Sequence, residues 1–150
     1  MTDLRLEELS AATIVAVNNL SLKPGQQQYL APVSYDLATT VMNPQTTWQR
    51  VVLDGDEVVG FVSANFDPDS PEEHFRSVLW RINVDADDQG RGVGRFAVAQ
   101  LLAVAQSKGF DHVDVIYEAG PDGPERFFTR VGFAPVAETE YGEVIATVSV

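Results

Sequence analysis

The heptapeptide Gln89-Gly90-Arg91-Gly92-Val93-Gly94-Arg95 has the residue types that most clearly fit a defined chemistry. Glycines let the main chain approach a ligand closely and adopt positive φ angles. The first amide groups of a helix have no partner within the helix and lie at the positive end of its dipole. A helix that begins inside this heptapeptide therefore offers a site for a phosphate group, and Arg91 and Arg95 add positive charge.

The elements on either side must position this bend. The apolar run 77–84 predicts a strand, and the period of apolar residues predicts a helix over roughly 92–107. Lys108-Gly109 is a typical helix end, and His112–Tyr117 predicts another strand. A strand, a helix and a strand at this spacing predict two parallel strands joined by a right-handed crossover.

Three common phosphate or metal motifs do not fit the heptapeptide. Gly90, Gly92 and Gly94 have the wrong spacing for a dinucleotide-binding fingerprint. A nucleoside triphosphate loop would need lysine and then serine or threonine where Arg95 and Phe96 stand. A calcium loop beginning at Asp85 would place Phe96 at its last ligand position.

Further strands and helices are predicted along the rest of the chain. The predicted elements are a first strand around residues 4–9, helices at 12–18, 35–42 and 123–131, a hairpin of strands 50–53 and 58–62 across Asp54-Gly55, and two final strands within 134–150 that turn near Tyr141-Gly142. The pattern predicts a mixed α/β fold, and the length of 150 residues indicates one domain, residues 1–150.

Composition restricts the possible partners. The net charge is −12, which argues against nucleic acid and suits a cationic small molecule. The chain has no cysteine, so disulfides, thiolate catalysis and zinc-thiolate sites are excluded, and no metal site is predicted. No apolar run approaches the ~20 residues of a membrane span, and the first residues lack a signal pattern. We expect a soluble, cytoplasmic protein without membrane contact.

The pattern Gln89-x-x-Gly92-x-Gly94, between a strand and a helix, resembles the signature of the GNAT N-acetyltransferases. Gly132-Phe133, about forty residues on, also matches. The segments 22–26, 30–32, 59–61 and 141–144 resemble the diamine or polyamine N-acetyltransferase branch. The resemblance implies a GNAT fold: a twisted, mostly antiparallel sheet of six to seven strands, a parallel pair splayed at the cofactor site, and helices on both faces.

The same resemblance implies that acetyl-CoA is the cosubstrate. Residues 89–95 would hold its pyrophosphate, and the main chain of Ile82, Asn83 and Val84 would bind its pantetheine amides. Phe128 stands at the cofactor-site position where the family usually has the tyrosine that protonates the departing thiolate. Phenylalanine has no hydroxyl, so water, Tyr117 or Tyr141 would have to supply that proton, or the thiolate would leave unassisted.

The acceptor side needs carboxylates, because an alkylamine with a pKa near ~10.4 is mostly protonated at neutral pH. A carboxylate attracts the cation and can relay its proton. The candidates are Asp36, Glu118, Glu140 and Glu143, with Gln26, Gln28 and Tyr29 as hydrogen-bonding residues of the acceptor loop. His74 and His112 have no serine or aspartate partner by motif. Proteins of this fold often pair through the terminal strands, so the resemblance is compatible with a homodimer, and the oligomeric state stays open.

Two alternatives to the acetyltransferase remain open at this stage. The absence of the tyrosine at Phe128 is also compatible with a non-catalytic acyl-CoA-binding or sensor domain of the same fold. The third possibility is an interaction domain that has lost its cofactor site. Binding of acetyl-CoA separates the third from the other two, and turnover with an amine separates the first from the second.

Overall fold

The computed structural model describes residues 3–20, 45–85, 92–119 and 124–150, in which seven strands form one sheet. In chain order the elements are β1 (Leu4–Glu8), α1 (Ile14–Asn18), β2 (Thr47–Asp54), β3 (Glu57–Phe66), a 3-10 turn (Glu73–Phe75), β4 (Ser77–Val84), α2 (Val93–Ser107), β5 (His112–Tyr117), α3 (Glu125–Arg130), β6 (Ala134–Glu138) and β7 (Val144–Ser149). The elements predicted in these ranges are confirmed, and the helix predicted at 35–42 lies outside the described residues. None of the described helices is long and apolar enough to cross a membrane.

The strand order is β1-β2-β3-β4-β5-β7-β6, and every neighbouring pair except β4–β5 is antiparallel. The predicted hairpin joins β2 and β3, with Gly55 at a φ of 61° in its turn. Both strands are longer than predicted, because their pairing continues as far as Thr47 opposite Asn65. The predicted mixed sheet of six to seven strands is therefore confirmed.

The parallel strands β4 and β5 share a single registered pair, Val78 with Asp114. Beyond it β4 runs on to Val84 and β5 to Tyr117 without further pairing between them. The hydroxyl of Ser77 donates to the His112 carbonyl oxygen at 2.7 Å and ties the two strands at their paired end. This confirms the predicted parallel pair that separates toward the glycine-rich bend.

Two separate hydrophobic clusters lie on the two faces of the sheet. On the helical face, the side chains of Ile82 and Val84 pack in one core with residues of α2 and α3, including Leu101 and Phe128. The opposite face carries a separate cluster of Ile116, Ile145 and Phe75, and the ring of Phe75 meets Trp80 at 6.1 Å. Trp80 is the extra residue of a bulge, since Ser63 pairs with Arg81 and Ala64 pairs with Leu79.

The start of α2 packs against α3. A Cβ atom on Gly94 would lie 2.9 Å from Cε1 of Phe127, so only glycine allows the two helices this approach. The other end of α2 is the predicted one: Gly109 adopts a φ of 90°, and the Phe110 amide donates to the Ala105 carbonyl oxygen at 3.1 Å.

We expect Gly94→Ala to lower the free energy of unfolding by about 1 kcal/mol, because the displaced Phe127 ring outweighs the better helix propensity of alanine. In a Phe127→Ala background the same change should stabilise the protein, since the obstructing ring is gone. Urea unfolding of the four proteins measures this coupling. Equal effects of Gly94→Ala in both backgrounds would contradict the contact.

Candidate functional site

The bend ends in an unusual helix start. Gly92 adopts a φ of 85°, and the first intrahelical bond runs from the Phe96 amide to the Gly92 carbonyl oxygen at 2.9 Å. The amides of residues 93–95 precede that bond, so the helix supplies no acceptor for them. The first turn contains no acidic residue, and Arg95 is exposed. The binding of an anion at residues 92–95 stays a prediction, and Gln89, Gly90 and Arg91 lie outside the described residues.

The end of β4 lies directly beside this helix start. Cγ2 of Val84 is 3.8 Å from the position that a Cβ atom on Gly94 would occupy. Ile82 and Val84 direct their side chains into the core, and Asn83 points to the opposite face, where it is 5% exposed. Because β3 pairs along one edge of β4, the other edge faces the gap toward β5. The main chain of residues 82–84 thus borders that gap, and its role in binding pantetheine stays a prediction.

Tyr117 is the last residue of β5, and its side chain packs in the core on the helical face. Its side chain is 1% exposed, and its ring stacks on Phe128 with centroids 5.5 Å apart. Burial, together with the negative charge of Glu125, raises the pKa of the Tyr117 phenol above its ordinary value of 10.0. The phenol therefore keeps its proton at neutral pH, which is the state required of a proton donor.

This shift has a consequence for stability in alkali. A folded-state pKa above the unfolded value contributes stability that is full below pH 10 and is lost as the pH rises through the folded pKa. We expect the wild type to lose stability above about pH 10, by up to about 1.4 kcal/mol per pH unit, and Tyr117→Phe to lose less. Urea unfolding between about pH 8 and 11 measures it. A Tyr117→Phe stability curve parallel to that of the wild type would contradict the assignment.

Phe128 lies in the core of the protein. Its side chain is fully buried, between the rings of Tyr117, Phe127 and Phe133 at centroid distances of 5.3–5.5 Å. The Phe133 amide donates to the Phe128 carbonyl oxygen at 2.9 Å, which joins α3 to the strand that follows. In this structure the ring supports Tyr117, and its assignment to the cofactor site stays a prediction.

The two predicted catalytic carboxylates come together at one end of the β5–β7 pair. Tyr117 is registered with Val144, so Glu118 and Glu143 are the next residues on each chain. Ile116 and Ile145 face away from the helical core that contains Tyr117, and the alternation of the strands, continued by one residue, assigns Glu118 and Glu143 to the same face as Ile116 and Ile145. Glu118 is exposed. The Glu143 side chain is 4% exposed, and its Oε1 accepts from the Thr139 hydroxyl at 3.4 Å.

Of the remaining predicted acceptor-side residues, only Glu140 and Tyr141 fall within the described ranges. Glu140 and Tyr141 are exposed in the β6–β7 turn, where the hydrogen bond with Glu140 raises the pKa of Tyr141. Gln26, Gln28, Tyr29 and Asp36 lie outside the described residues. Their assignment to the acceptor site is untested by the structure.

The two histidines, for which no motif predicts a partner, share an aspartate in the structure. Nδ1 of His74 lies 3.1 Å from Oδ2 of Asp114, and Nε2 of His112 lies 3.7 Å from the same oxygen. Asp114 is 3% exposed and is the β5 residue of the single β4–β5 pair. The 3-10 turn brings His74 to this carboxylate, a contact between positions forty residues apart that no local motif predicts.

Arg81 is a further candidate that is not among the site residues predicted from the sequence. It is half-buried on the opposite face of β4, and its guanidinium lies 6.0 Å from the ring centroid of Phe61. The available signal is a single cation inside the otherwise uncharged strand 77–84. A charged residue within a buried strand is rare enough to suggest a role.

Solved structures of several acetyltransferases have the same fold. An acetyltransferase from Thermus thermophilus is 22% identical, covers 100% of both chains and has a TM-score of 0.68. The GNAT domain of S. lividans PAT, at 14% identity, covers 98% of this chain and 90% of its own, with a TM-score of 0.70. A GNAT family acetyltransferase from Elizabethkingia anophelis, solved with acetyl-CoA bound, is 13% identical, covers 98% of both chains and has a TM-score of 0.64.

One curated relative is more similar in sequence over a shorter stretch. The L-2,4-diaminobutyric acid acetyltransferase of Shouchella clausii (strain KSM-K16) is 30% identical over 81 residues, which are 54% of this chain and 44% of the relative. The matched segment thus spans less than half of that protein. Residues 14–133 match the acetyltransferase (GNAT) family, and this match includes β2 to β5, the helix start at Gly92 and α3. The chain therefore belongs to the acetyltransferase (GNAT) family.

Proposed function

We propose that this protein transfers the acetyl group of acetyl-CoA directly to a primary amine of a small cationic acceptor. The amine nitrogen attacks the thioester carbonyl carbon, the new C–N bond forms, and the C–S bond breaks. The amine loses a proton, and the sulfur leaves as a thiolate or takes up a proton. No covalent intermediate on the protein is required, and no cysteine is available to form one.

The observation that carries this proposal is the helix start at Gly92 beside the edge of β4 that faces β5. The amides of residues 93–95 point out of α2 at the positive end of its dipole, which suits the pyrophosphate of acetyl-CoA. The main chain of 82–84 borders the gap to β5, which suits the pantetheine amides. An amide in that gap can also stabilise the oxyanion that forms during attack. The related structure with acetyl-CoA bound supports the same cosubstrate.

The acceptor proposal rests on carboxylates and on the relative that acts on diaminobutyric acid. Glu143 is a buried acid at the end of the β5–β7 pair, and Glu118 lies beside it at the surface. An ammonium group attracted there can give its proton to a carboxylate and become the nucleophile. We assign Glu143 the role of general base and Tyr117 the role of proton donor to the sulfur.

A second candidate function is acyl-CoA binding without efficient transfer. It is favoured by Phe128, whose ring has no hydroxyl and is fully buried. This candidate predicts tight binding of acetyl-CoA and no thiol release with any amine. The homodimer through the terminal strands and the cytoplasmic location likewise remain predictions.

We expect Gly92→Val to weaken acetyl-CoA binding at least about tenfold, because a β-branched residue does not adopt a φ of 85° without strain. Isothermal titration calorimetry with acetyl-CoA measures the affinity. Gly109→Val, which places the same strain at the other end of α2, is the matched control and should leave affinity unaffected. Failure of the wild type to bind at millimolar acetyl-CoA would rule out both candidate functions.

We expect Glu143→Gln to lower kcat about 10²- to 10⁴-fold at pH 7, with acetyl-CoA affinity retained. The loss should shrink as the pH approaches the amine pKa of ~10.4, where the acceptor is already neutral. Thiol release followed as a function of pH measures this. Glu138→Gln, at an exposed carboxylate of β6, is the control. Parallel pH profiles for Glu143→Gln and wild type would contradict the role as base.

A further inference from the structure

We propose that Arg81 binds a carboxylate of the acceptor, so that the preferred substrate is an amine that carries a carboxylate, and not a polyamine. This inference rests on the proposed function and specifies its acceptor. It follows from the position of Arg81, from its lack of an acidic partner among the described residues, and from the way its guanidinium is held.

Arg81 lies in the part of β4 that continues beyond its single pair with β5, on the face to which the proposed catalytic carboxylates are assigned. It is three residues after Val78, and Tyr117 is three residues after Asp114, the partner of Val78. Because Trp80 is the extra residue of the bulge, Arg81 pairs with Ser63 of β3, next to the pair of Leu79 with Ala64. Its contact with Phe61 places the guanidinium on the face opposite to the helices, which is the face that strand alternation assigns to Glu118 and Glu143 on the other side of the β4–β5 gap.

Arg81 differs from the other half-buried cations of the structure. Arg5, Arg50 and Arg81 are the lysine or arginine residues of intermediate exposure within the described ranges. Arg5 lies near Glu7 and Asp56, and Arg50 near Glu8. Arg81 has no carboxylate partner in the part of the chain that the structure describes, although acids outnumber bases by 22 to 10. A partly desolvated cation without a counter-ion is costly, so an anionic ligand would be favourable there.

The guanidinium is also held in place. With the Asn83 amide oriented to satisfy both of its groups, its oxygen accepts from Nη2 of Arg81 at 3.0 Å and its nitrogen donates to the Ile82 carbonyl at 2.9 Å. The Phe61 ring lies beside the guanidinium. Guanidinium has five N–H donors, so the Asn83 contact leaves enough for a bidentate carboxylate. Because the side chain is already ordered, binding costs less rotamer entropy.

These positions define the charge pattern of the acceptor. Its carboxylate would bind Arg81, and its ammonium group would face Glu143 across the gap. A polyamine would place a second cation near Arg81 and be repelled. The pyrophosphate of acetyl-CoA does not compete for Arg81 in this proposal, because its predicted site is the start of α2 on the helical face.

Two matched acceptors test this inference. 2,4-Diaminobutyrate is 1,3-diaminopropane with a carboxylate added, so the ratio of their kcat/KM values isolates the contribution of that carboxylate. We expect wild type to prefer diaminobutyrate and Arg81→Gln to lower the ratio roughly 10- to 100-fold, the effect of one charged hydrogen-bonded contact. The methyl ester of diaminobutyrate should behave like the diamine. Arg81→Lys should restore part of the preference for diaminobutyrate, since lysine keeps the positive charge but cannot make the two parallel hydrogen bonds of a guanidinium.

Arg50→Gln is the control, because Arg50 is a half-buried arginine of β2 that has its own acidic partner, and it should not change the ratio. Equal loss of both activities in Arg81→Gln, or wild-type preference for the diamine, would overturn the role of Arg81 and leave the acetyltransferase intact. If acetyl-CoA binds but no amine is acetylated, calorimetry gives the affinities of the CoA-bound protein for diaminobutyrate and for 1,3-diaminopropane. If Arg81→Gln leaves the ratio of these affinities unchanged, the role of Arg81 is again overturned. Failure to bind acetyl-CoA would reject the underlying function itself.

Discussion

The interruption of parallel pairing between β4 and β5 is the constraint on which the rest of the structure depends. Strands normally satisfy their main-chain groups by continuous pairing, and here pairing stops after Val78 and Asp114. The Ser77 hydroxyl and the two histidines around Asp114 gather at the paired end. Because that end is held by these contacts, the strands can separate at the other end while the sheet stays continuous, and the proposed ligand site lies where they separate.

The alternation of side chains along these strands divides the chemistry between two faces. On the helical face, Val84 meets the start of α2, and Tyr117 is buried against Phe128. On the opposite face lie Arg81 and the carboxylate of Glu143. A cosubstrate held by the helix start and an acceptor held by charged side chains would thus approach one gap from two sides. Such an arrangement favours direct transfer, because neither ligand has to leave before the other reacts.

In a protein with a net charge of −12, a half-buried cation that has no carboxylate partner among the described residues is a notable feature. Long-range attraction brings cationic amines toward the surface, but it does not distinguish one amine from another. Discrimination requires a partly desolvated group in a fixed position, because there an unpaired charge on either side is costly. Arg81 fulfils that condition among the described residues, held by Asn83 and Phe61. The acceptor specificity that we propose therefore depends on one half-buried contact and not on net charge.

The sequence by itself determined the parts of this protein that depend on local period and on glycine. Around residues 84–93 the spacing of apolar residues changes from that of a strand to that of a helix, which correctly predicts the crossover. The glycines at the two ends of α2 mark where that helix starts and stops, and most strand limits are also predicted correctly. Tertiary structure alone decided which distant residues meet: His74 with Asp114, Tyr117 with Phe128, and Arg81 with the edge of the gap. Such contacts depend on strand order, on register and on a bulge, which are set by the packing of the whole sheet, so no short stretch of sequence encodes them.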